Sequence, residues 1–175
     1  MGVATESAVL VTVPAAEAAV ARHRERFDLA AQWGVPAHVT VLYPFVPPAA
    51  IDNAVLADLA RAAAAVLQFR AEWRRTGWFG GDVLWLAPEP ESSFRALTAA
   101  VWHAFPDHPP YEGRFDDVVP HLTIGHDAPF DDLRAAEREV VRRLPITMVV
   151  NAVQLMCGTT TPGSWRTIAE FPLGT

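Results

Sequence analysis

The sequence predicts an α+β fold: two pseudo-symmetric lobes of antiparallel sheet, with helices on the outside, around a central cleft. Two observations lead to this prediction. The order strand, helix, strand, helix, strand occurs twice, and the middle strand of each pass carries a similar tripeptide, His38-Val39-Thr40 and then His121-Leu122-Thr123. Two structural repeats of this kind can bring their middle strands together across a pseudo-twofold axis. We therefore expect one cleft that receives a His and a Thr from each half.

The chain is long enough for one good hydrophobic core and short for two. Its 175 residues are 51% hydrophobic and 10% aromatic, which is typical of a single globular domain. We treat residues 1–175 as one domain, with structural repeats at about 7–79 and 83–157 and a final edge strand at about 165–171.

The first half contains three predicted strands and two predicted helices. Apolar runs and apolar/polar alternation predict the strands, whereas a proline at the start and apolar residues at helical spacing predict the helices. The elements are a strand from Ser7 to Val13, a helix from Pro14 to Gln32, the first His strand from Ala37 to Leu42, a helix from Ala49 to Leu67 and a strand from Phe69 to Trp73. A glycine-rich turn at 77–81 leads into the second half.

The second half repeats this order, on the same kinds of evidence. Its predicted elements are a strand from Val83 to Ala87, a helix from Pro90 to Phe105, a long loop from Pro106 to Val119, the second His strand from Pro120 to Gly125, a helix from Pro129 to Leu144 and a strand from Ile146 to Met156.

Composition excludes several classes of protein. A net charge of -6 argues against a protein that holds long nucleic-acid duplexes, so we expect an RNA end or a small nucleotide as the partner. No apolar run approaches the about 18 residues of a membrane span, and no signal segment is visible. Cys157 is the only cysteine, which rules out an internal disulfide. We expect a cytoplasmic monomer with no membrane partner.

The paired tripeptides predict acid/base chemistry on a small anion. A His and a Thr two positions apart on a strand point to the same face, so the two strands together would supply two imidazoles and two hydroxyls. The histidines lack the helical spacing, the cysteine partners and the HExxH motif of a zinc site. Neither a G-x-S-x-G elbow nor a Walker loop is present. We therefore expect neither a metal nor another cofactor.

The segments His38-Val39-Thr40-Val41 and His121-Leu122-Thr123-Ile124, in this order of strands and helices, resemble the two-histidine (2H) phosphoesterase superfamily. The Gly-Trp-Phe-Gly turn at 77–80 and the strand 83–86 are similar to its bacterial RNA 2',5'-ligase and cyclic phosphodiesterase branch. The resemblance covers nearly the whole chain. It implies a metal-free enzyme acting on 2',3'-cyclic phosphates or 2',5'-phosphodiesters, at RNA ends or in small nucleotides.

The residues themselves suit that reaction. Hydrolysis of a cyclic phosphodiester needs a base to deprotonate water and an acid to protonate the departing ribose oxygen, on opposite sides of phosphorus. His38 and His121 suit these two roles, and the sequence does not decide which is the acid. Thr40 and Thr123 are candidate phosphate ligands, since their hydroxyls can donate to the non-bridging oxygens. Opening the ring at the 3' oxygen leaves a 2'-phosphate, and the same ring opening with a 5'-hydroxyl in place of water forms a 2',5' linkage.

Four further residues are candidates for substrate binding. His126 stands where much of this branch has a basic residue, often Arg, although on a regular strand it faces away from His121. Tyr43 and Phe45 directly follow the first His strand and can flank a nucleobase. Arg114 lies in the loop before the second motif, where it can close over a substrate.

Two arginines are weaker candidates. Arg74 and Arg75, beside Trp73 and Trp78, form a possible platform for phosphate and base. The histidines without a motif are expected at the surface; they are His23, His103 and His108.

Two alternatives to the cyclic phosphodiesterase stay open. One is a non-catalytic module that binds nucleotides or RNA ends, although a pure binder has no need of two imidazoles on either side of phosphorus. The other is a hydrolase of another small cyclic phosphate, such as ADP-ribose 1'',2''-cyclic phosphate, which the acidic net charge slightly favours.

Overall fold

A computed structural model describes residues 3–175 as eight strands and five α-helices. The strands are β1 (Glu6–Thr12), β2 (His38–Leu42), β3 (Phe69–Phe79), β4 (Val83–Glu89), β5 (Leu122–His126), β6 (Ile146–Val150), β7 (Ala152–Gly158) and β8 (Arg166–Pro172). The helices are α1 (Glu17–Phe27), α2 (Leu29–Trp33), α3 (Asn53–Ala64), α4 (Glu91–Ala104) and α5 (Phe130–Val141). None of the helices in the described part of the chain is long and apolar enough to cross a membrane.

The strands form two four-stranded antiparallel sheets of equivalent order. The first sheet runs β2-β1-β7-β8 and the second runs β5-β4-β3-β6. The predicted α+β architecture with two similar lobes is therefore confirmed. The two halves of the chain also exchange strands, because β3 pairs with β4 while β7 pairs with β1. The His strands β2 and β5 each form one edge of a sheet, and these two edges contact each other.

Three predicted elements differ from the structure. The helix predicted from Pro14 to Gln32 is interrupted at Asp28, where the backbone is extended and the side chain accepts from the Ala30 N–H at 3.0 Å. This is a helix N-cap, and it starts α2. The strand predicted from Ile146 to Met156 is two strands, β6 and β7, which belong to different sheets.

The third difference concerns the glycine-rich turn predicted at 77–81. In the structure the turn begins three residues later. Residues Gly77 to Phe79 continue β3, and the turn comes at residues 80–82. Gly77 is required for packing and not for a turn, because a Cβ there would lie 2.5 Å from the ring of Trp85 on the neighbouring strand. A glycine inside a strand often marks such a close approach.

The core explains how the two His strands are held. In β2, Val39 and Val41 are fully or almost fully buried, whereas His38 and Thr40 are half-buried. In the second motif, Leu122 and Ile124 are fully buried. The apolar residues therefore anchor each strand to the core, and the alternation turns the His and Thr side chains the other way.

Candidate active site between the two sheets

The site lies where β2 and β5 meet at the edges of their sheets. His38 begins β2, and His121 immediately precedes β5. The two imidazoles are close enough for His121 to act electrostatically on His38. The structure therefore brings together the two histidines that the sequence singled out, with Thr40 and Thr123 two positions further along each strand.

The two histidines are oriented in the same way. The Nδ1 of His38 lies 2.8 Å from the carbonyl oxygen of Pro36, and the Nδ1 of His121 lies 2.7 Å from that of Val119. A carbonyl oxygen only accepts, so each Nδ1 carries the proton and donates it. Each Nε2 takes no part in these contacts, and it can exchange a proton with a substrate.

The protein favours the neutral form of both imidazoles. Desolvation, followed by the Arg24 guanidinium, lowers the pKa of His38 to about 4. Desolvation also lowers the pKa of His121, opposed by its bond to the Val119 carbonyl. An anionic phosphate placed between the rings would raise both pKa values, since a nearby negative charge favours the imidazolium. The pair can thus hold one neutral and one protonated ring once an anion is bound.

His126 does not face away from the site, and the expectation based on a regular strand was wrong. The register between β4 and β5 shifts between Leu84 and Trp85, which is typical of a β-bulge. Thr123 lies opposite Trp85, and His126 lies opposite Val83. Val83 and Trp85 are two apart on β4 and share a face, so the bulge brings His126 to the same face as Thr123.

His126 carries a positive charge at neutral pH. Its Nδ1 lies 2.8 Å from Asp127 Oδ2, and its Nε2 lies 3.6 Å from Asp28 Oδ1, an ion-pair distance. Asp28, opposed by desolvation and supported by Asp127, raises the pKa of His126 to about 9. The chain therefore has a cation two residues after the second motif, at a position where the branch that it resembles often has Arg.

Sequence reasoning missed a buried ion pair next to the histidines. Arg24 and Asp28 are one helical turn apart, and their side chains are 3% and 4% exposed. Burial raises the pKa of Asp28, but His126 and Arg24 lower it by more, so the pKa lies below its ordinary value. The spacing of four residues between opposite charges was the only signal in the sequence.

A cavity of about 850 Å³ opens beside His121. Much of its lining is aromatic, and it includes the second histidine and residues of the long loop before it. The residues that line it are Tyr43, Pro44, Phe79, Val83, Tyr111, Glu112, Arg114, Phe115, Asp117, Val118, Val119 and His121.

Tyr111 is a second residue that sequence reasoning missed. Burial raises the pKa of its phenol, and the hydroxyl of Thr40 opposes that shift, so the Tyr111 side chain lies beside the first motif while lining the cavity next to the second. Its backbone is left-handed, with φ of 51°, and its N–H donates to the Tyr43 carbonyl at 2.6 Å. No sequence signal distinguishes this tyrosine from the rest of its loop.

The remaining candidates are placed differently. Tyr43 lines the cavity, and its hydroxyl donates to Glu6 at 2.8 Å. Arg114 also lines the cavity, where it is exposed and paired with Glu112. Phe45 is not available for a nucleobase, because it is only 3% exposed and packs edge-on against Phe105 in the core.

The platform considered as a weaker candidate at residues 73–78 is not formed. Trp73 is fully buried, and the indole of Trp78 donates to Glu137 at 3.0 Å. The exposed side chain of Arg74 pairs with Glu72 on the same strand, and that of Arg75 pairs with Glu89 of β4. The Trp73 indole is part of the core, and the Trp78 indole joins β3 to helix α5 through Glu137.

The three histidines without a motif are not all at the surface as expected. His103 is exposed and His108 is half-buried, but His23 is 8% exposed and lies 3.2 Å from Glu139. Among residues 3–175, no three His, Cys, Asp or Glu side chains are grouped so that they could hold a metal ion.

Comparison with known proteins gives one matching family model. The family model of the 2'-5' RNA ligase superfamily matches residues 12–159. No curated protein matches the chain.

Several solved structures have a similar fold. E. coli LigT complexed with 3'-AMP is 17% identical with a TM-score of 0.60, and 99% of this chain and 100% of that chain are covered. A crystal structure described as a phosphoesterase is 15% identical, with a TM-score of 0.62 and coverage of 99% and 100%. TT0787 of Thermus thermophilus is 20% identical, with a TM-score of 0.56 and coverage of 95% and 97%.

Proposed function

The chain belongs to the 2'-5' RNA ligase superfamily, and on that premise we propose that it is a metal-independent phosphodiesterase that opens 2',3'-cyclic phosphates to 2'-phosphates. One observation carries the proposal. Two imidazoles from equivalent edge strands are both held through Nδ1, so that each offers Nε2 to a phosphodiester between them. Proton transfer by a positioned histidine on each side of phosphorus is what ring opening requires.

In the proposed reaction, one imidazole removes a proton from water as its oxygen attacks phosphorus. The bond from phosphorus to the 3' oxygen breaks in line, and the second, protonated imidazole gives its proton to that oxygen. Thr40 and Thr123 donate hydrogen bonds to the non-bridging oxygens, where negative charge accumulates. The same ring opening with a ribose 5'-hydroxyl in place of water as the nucleophile would form a 2',5' linkage and release the 3'-hydroxyl.

The cavity and the charges favour an RNA end or a small nucleotide as substrate. The aromatic lining beside His121 suits a nucleoside, and E. coli LigT has been crystallised with 3'-AMP and with phosphate. Arg114 is the one cation among the lining residues, and it is paired with Glu112. His126 supplies a second positive charge, which we propose contacts a phosphate. So few cations do not suit a long polyanion.

The test is a panel of substrates incubated with the full chain in EDTA. The panel contains 2',3'-cyclic nucleotides, short RNAs that end in a cyclic phosphate, and ADP-ribose 1'',2''-cyclic phosphate. We expect loss of the 2',3'-cyclic species with a 2'-phosphate as product. Turnover only after metal is added would contradict the mechanism. Binding without turnover would favour a binding module, and exclusive turnover of the ADP-ribose compound would favour that hydrolase.

A further inference from the structure

Asp28 lies within ion-pair distance of His126 and, through Arg24, reaches the segment that precedes His38, although it belongs to neither motif. We propose that Asp28 is a positioning residue, which holds the His126 ring on the cleft face and, through Arg24, fixes the segment that carries His38. This inference rests on the proposed function and extends it. Asp28 itself lies beneath the site and touches no substrate atom in the proposed reaction.

One carboxylate oxygen of Asp28 binds Arg24. Its Oδ2 accepts from Arg24 Nε at 3.0 Å and from Arg24 Nη2 at 2.8 Å. The third guanidinium nitrogen, Nη1, donates to the carbonyl of Val35 at 3.2 Å. Val35 precedes Pro36, whose carbonyl accepts from His38 Nδ1. Hydrogen bonds from Asp28 through Arg24 therefore hold the Val35 carbonyl, and the peptide bond to Pro36 joins it to the carbonyl that orients the His38 ring.

The other carboxylate oxygen lies at the second motif. Asp28 Oδ1 accepts from the Ala30 N–H and lies 3.6 Å from His126 Nε2. The charged groups that act on His126 are Asp28, from the junction of α1 and α2, and Asp127, the next residue in the chain. Asp127 is exposed, with a side chain 83% accessible, whereas Asp28 is buried. The buried carboxylate of Asp28 is less screened by solvent, so it has the larger effect on the pKa of His126.

This arrangement is more than an ion pair that joins one helix to itself. Burying two charges is costly, and such a pair is weak evidence for a role in stability. Here the carboxylate also faces His126 and acts electrostatically on His38. Its charge therefore affects the pKa of a histidine on each side of the cleft. Removing the charge while keeping the shape should therefore change the titration of the site.

The test is Asp28→Asn in the full chain. Asparagine keeps the volume and the oxygen that caps Ala30, but it has no negative charge to stabilise the Arg24 and His126 cations. We expect the pKa of His126, followed by NMR of its ring, to fall from about 9 toward its ordinary 6.5. Above the pKa of the catalytic acid, kcat/KM for 2',3'-cyclic AMP should fall a second time as His126 loses its proton. This second fall should move to lower pH by the same interval. KM at pH 8.5 should rise about tenfold, since a charge-assisted phosphate contact is lost.

The matched control is Asp58→Asn, which removes one partner of the exposed Asp58–Arg61 ion pair on α3. It should leave both the His126 titration and the pH profile unchanged. If Asp28→Asn does not fold, His126→Gln leaves the buried pair intact and should remove the same second fall of kcat/KM. A folded Asp28→Asn protein with the wild-type His126 pKa and pH profile would overturn the proposal.

The two proposals fail in distinguishable ways. If the wild-type protein turns over no cyclic phosphate, the proposed function fails, but the NMR titration of His126 still tests Asp28. In that titration, inorganic phosphate serves as the probe, and it should perturb the His126 ring in the wild type and less in Asp28→Asn. An equal response to phosphate in both proteins would contradict the inference.

Discussion

Gly77→Ala should disturb His121, the second of the two proposed catalytic histidines, through the ring of Trp85. A Cβ at this position would lie 2.5 Å from two ring carbons of Trp85 and 2.8 Å from a third. Carbon atoms pack at about 3.5 to 4.0 Å, so the ring must move by roughly 1 Å. Trp85 is 9% exposed, and its ring centre lies 4.8 Å from that of Phe79 and 6.1 Å from that of His121. Because the Trp85 ring is enclosed by these neighbours, its displacement should also move the His121 imidazole.

We expect Gly77→Ala to lower kcat by about 10- to 100-fold, because a shift of about 1 Å in a catalytic group has an effect of this size. Overpacking should also lower the free energy of unfolding by about 1 to 3 kcal/mol. The assay is steady-state hydrolysis of 2',3'-cyclic AMP, with urea unfolding of the same samples. Gly81→Ala is the control, since nothing lies within 4 Å of a Cβ there. A folded Gly77→Ala protein with wild-type kcat would refute this reasoning.

Three other predictions test the placement of single residues. His126 has a pKa of about 9 in the folded protein and 6.5 unfolded, so its contribution to stability is complete below pH 6.5. The contribution is lost as pH rises to about 9, and the free energy of unfolding measured in urea should fall by at most about 3 kcal/mol. A free energy of unfolding that does not change over this pH range would contradict the pairing of His126 with Asp28 and Asp127. Phe45→Ala should cost about 3 to 5 kcal/mol of unfolding free energy and leave KM unchanged, because Phe45 is core. Phe115→Ala, 59% exposed at the cavity, should raise KM for 2',3'-cyclic AMP by about 10-fold with little loss of stability; an unchanged KM would exclude base stacking there.

The alternation of apolar and polar residues made the two histidines and two threonines of the candidate site predictable from the sequence. In His38-Val39-Thr40-Val41, the buried valines and the half-buried polar residues follow the two-residue period of a strand. Because the same pattern recurs in an equivalent place, the sequence predicted that the two edges would face one cleft. The α+β architecture followed from the repeated order of elements, a property of local sequence.

Features that depend on contacts distant in sequence were not predictable in this way. The bulge that turns His126 into the cleft is an extra residue near Gly125, where a Cβ would lie 2.6 Å from Phe27 of α1. Nothing in the local sequence shows that α1 packs there. Likewise Phe45 follows a His strand as a binding residue would, and only its packing against Phe105 places it in the core.

The loop residues and the buried ion pair escaped prediction for a related reason. Tyr111 is brought to Thr40 by a left-handed backbone that most residue types rarely adopt. Arg24 and Asp28 lie in a stretch that reads as one continuous helix, so their position beneath the site depends on the break at Asp28.

The central claim is that His38 and His121 act together on one phosphodiester. It is tested most directly by kcat/KM for 2',3'-cyclic AMP, measured in EDTA for His38→Asn, His121→Asn and the double variant. The exposed His103→Asn serves as the control. Each single variant should lose about 100- to 10,000-fold, and the double variant should be little worse than the worse single one, because the two rings act as a unit. Either single variant keeping about a tenth or more of the wild-type rate would contradict the account, since that loss is far below the expected range.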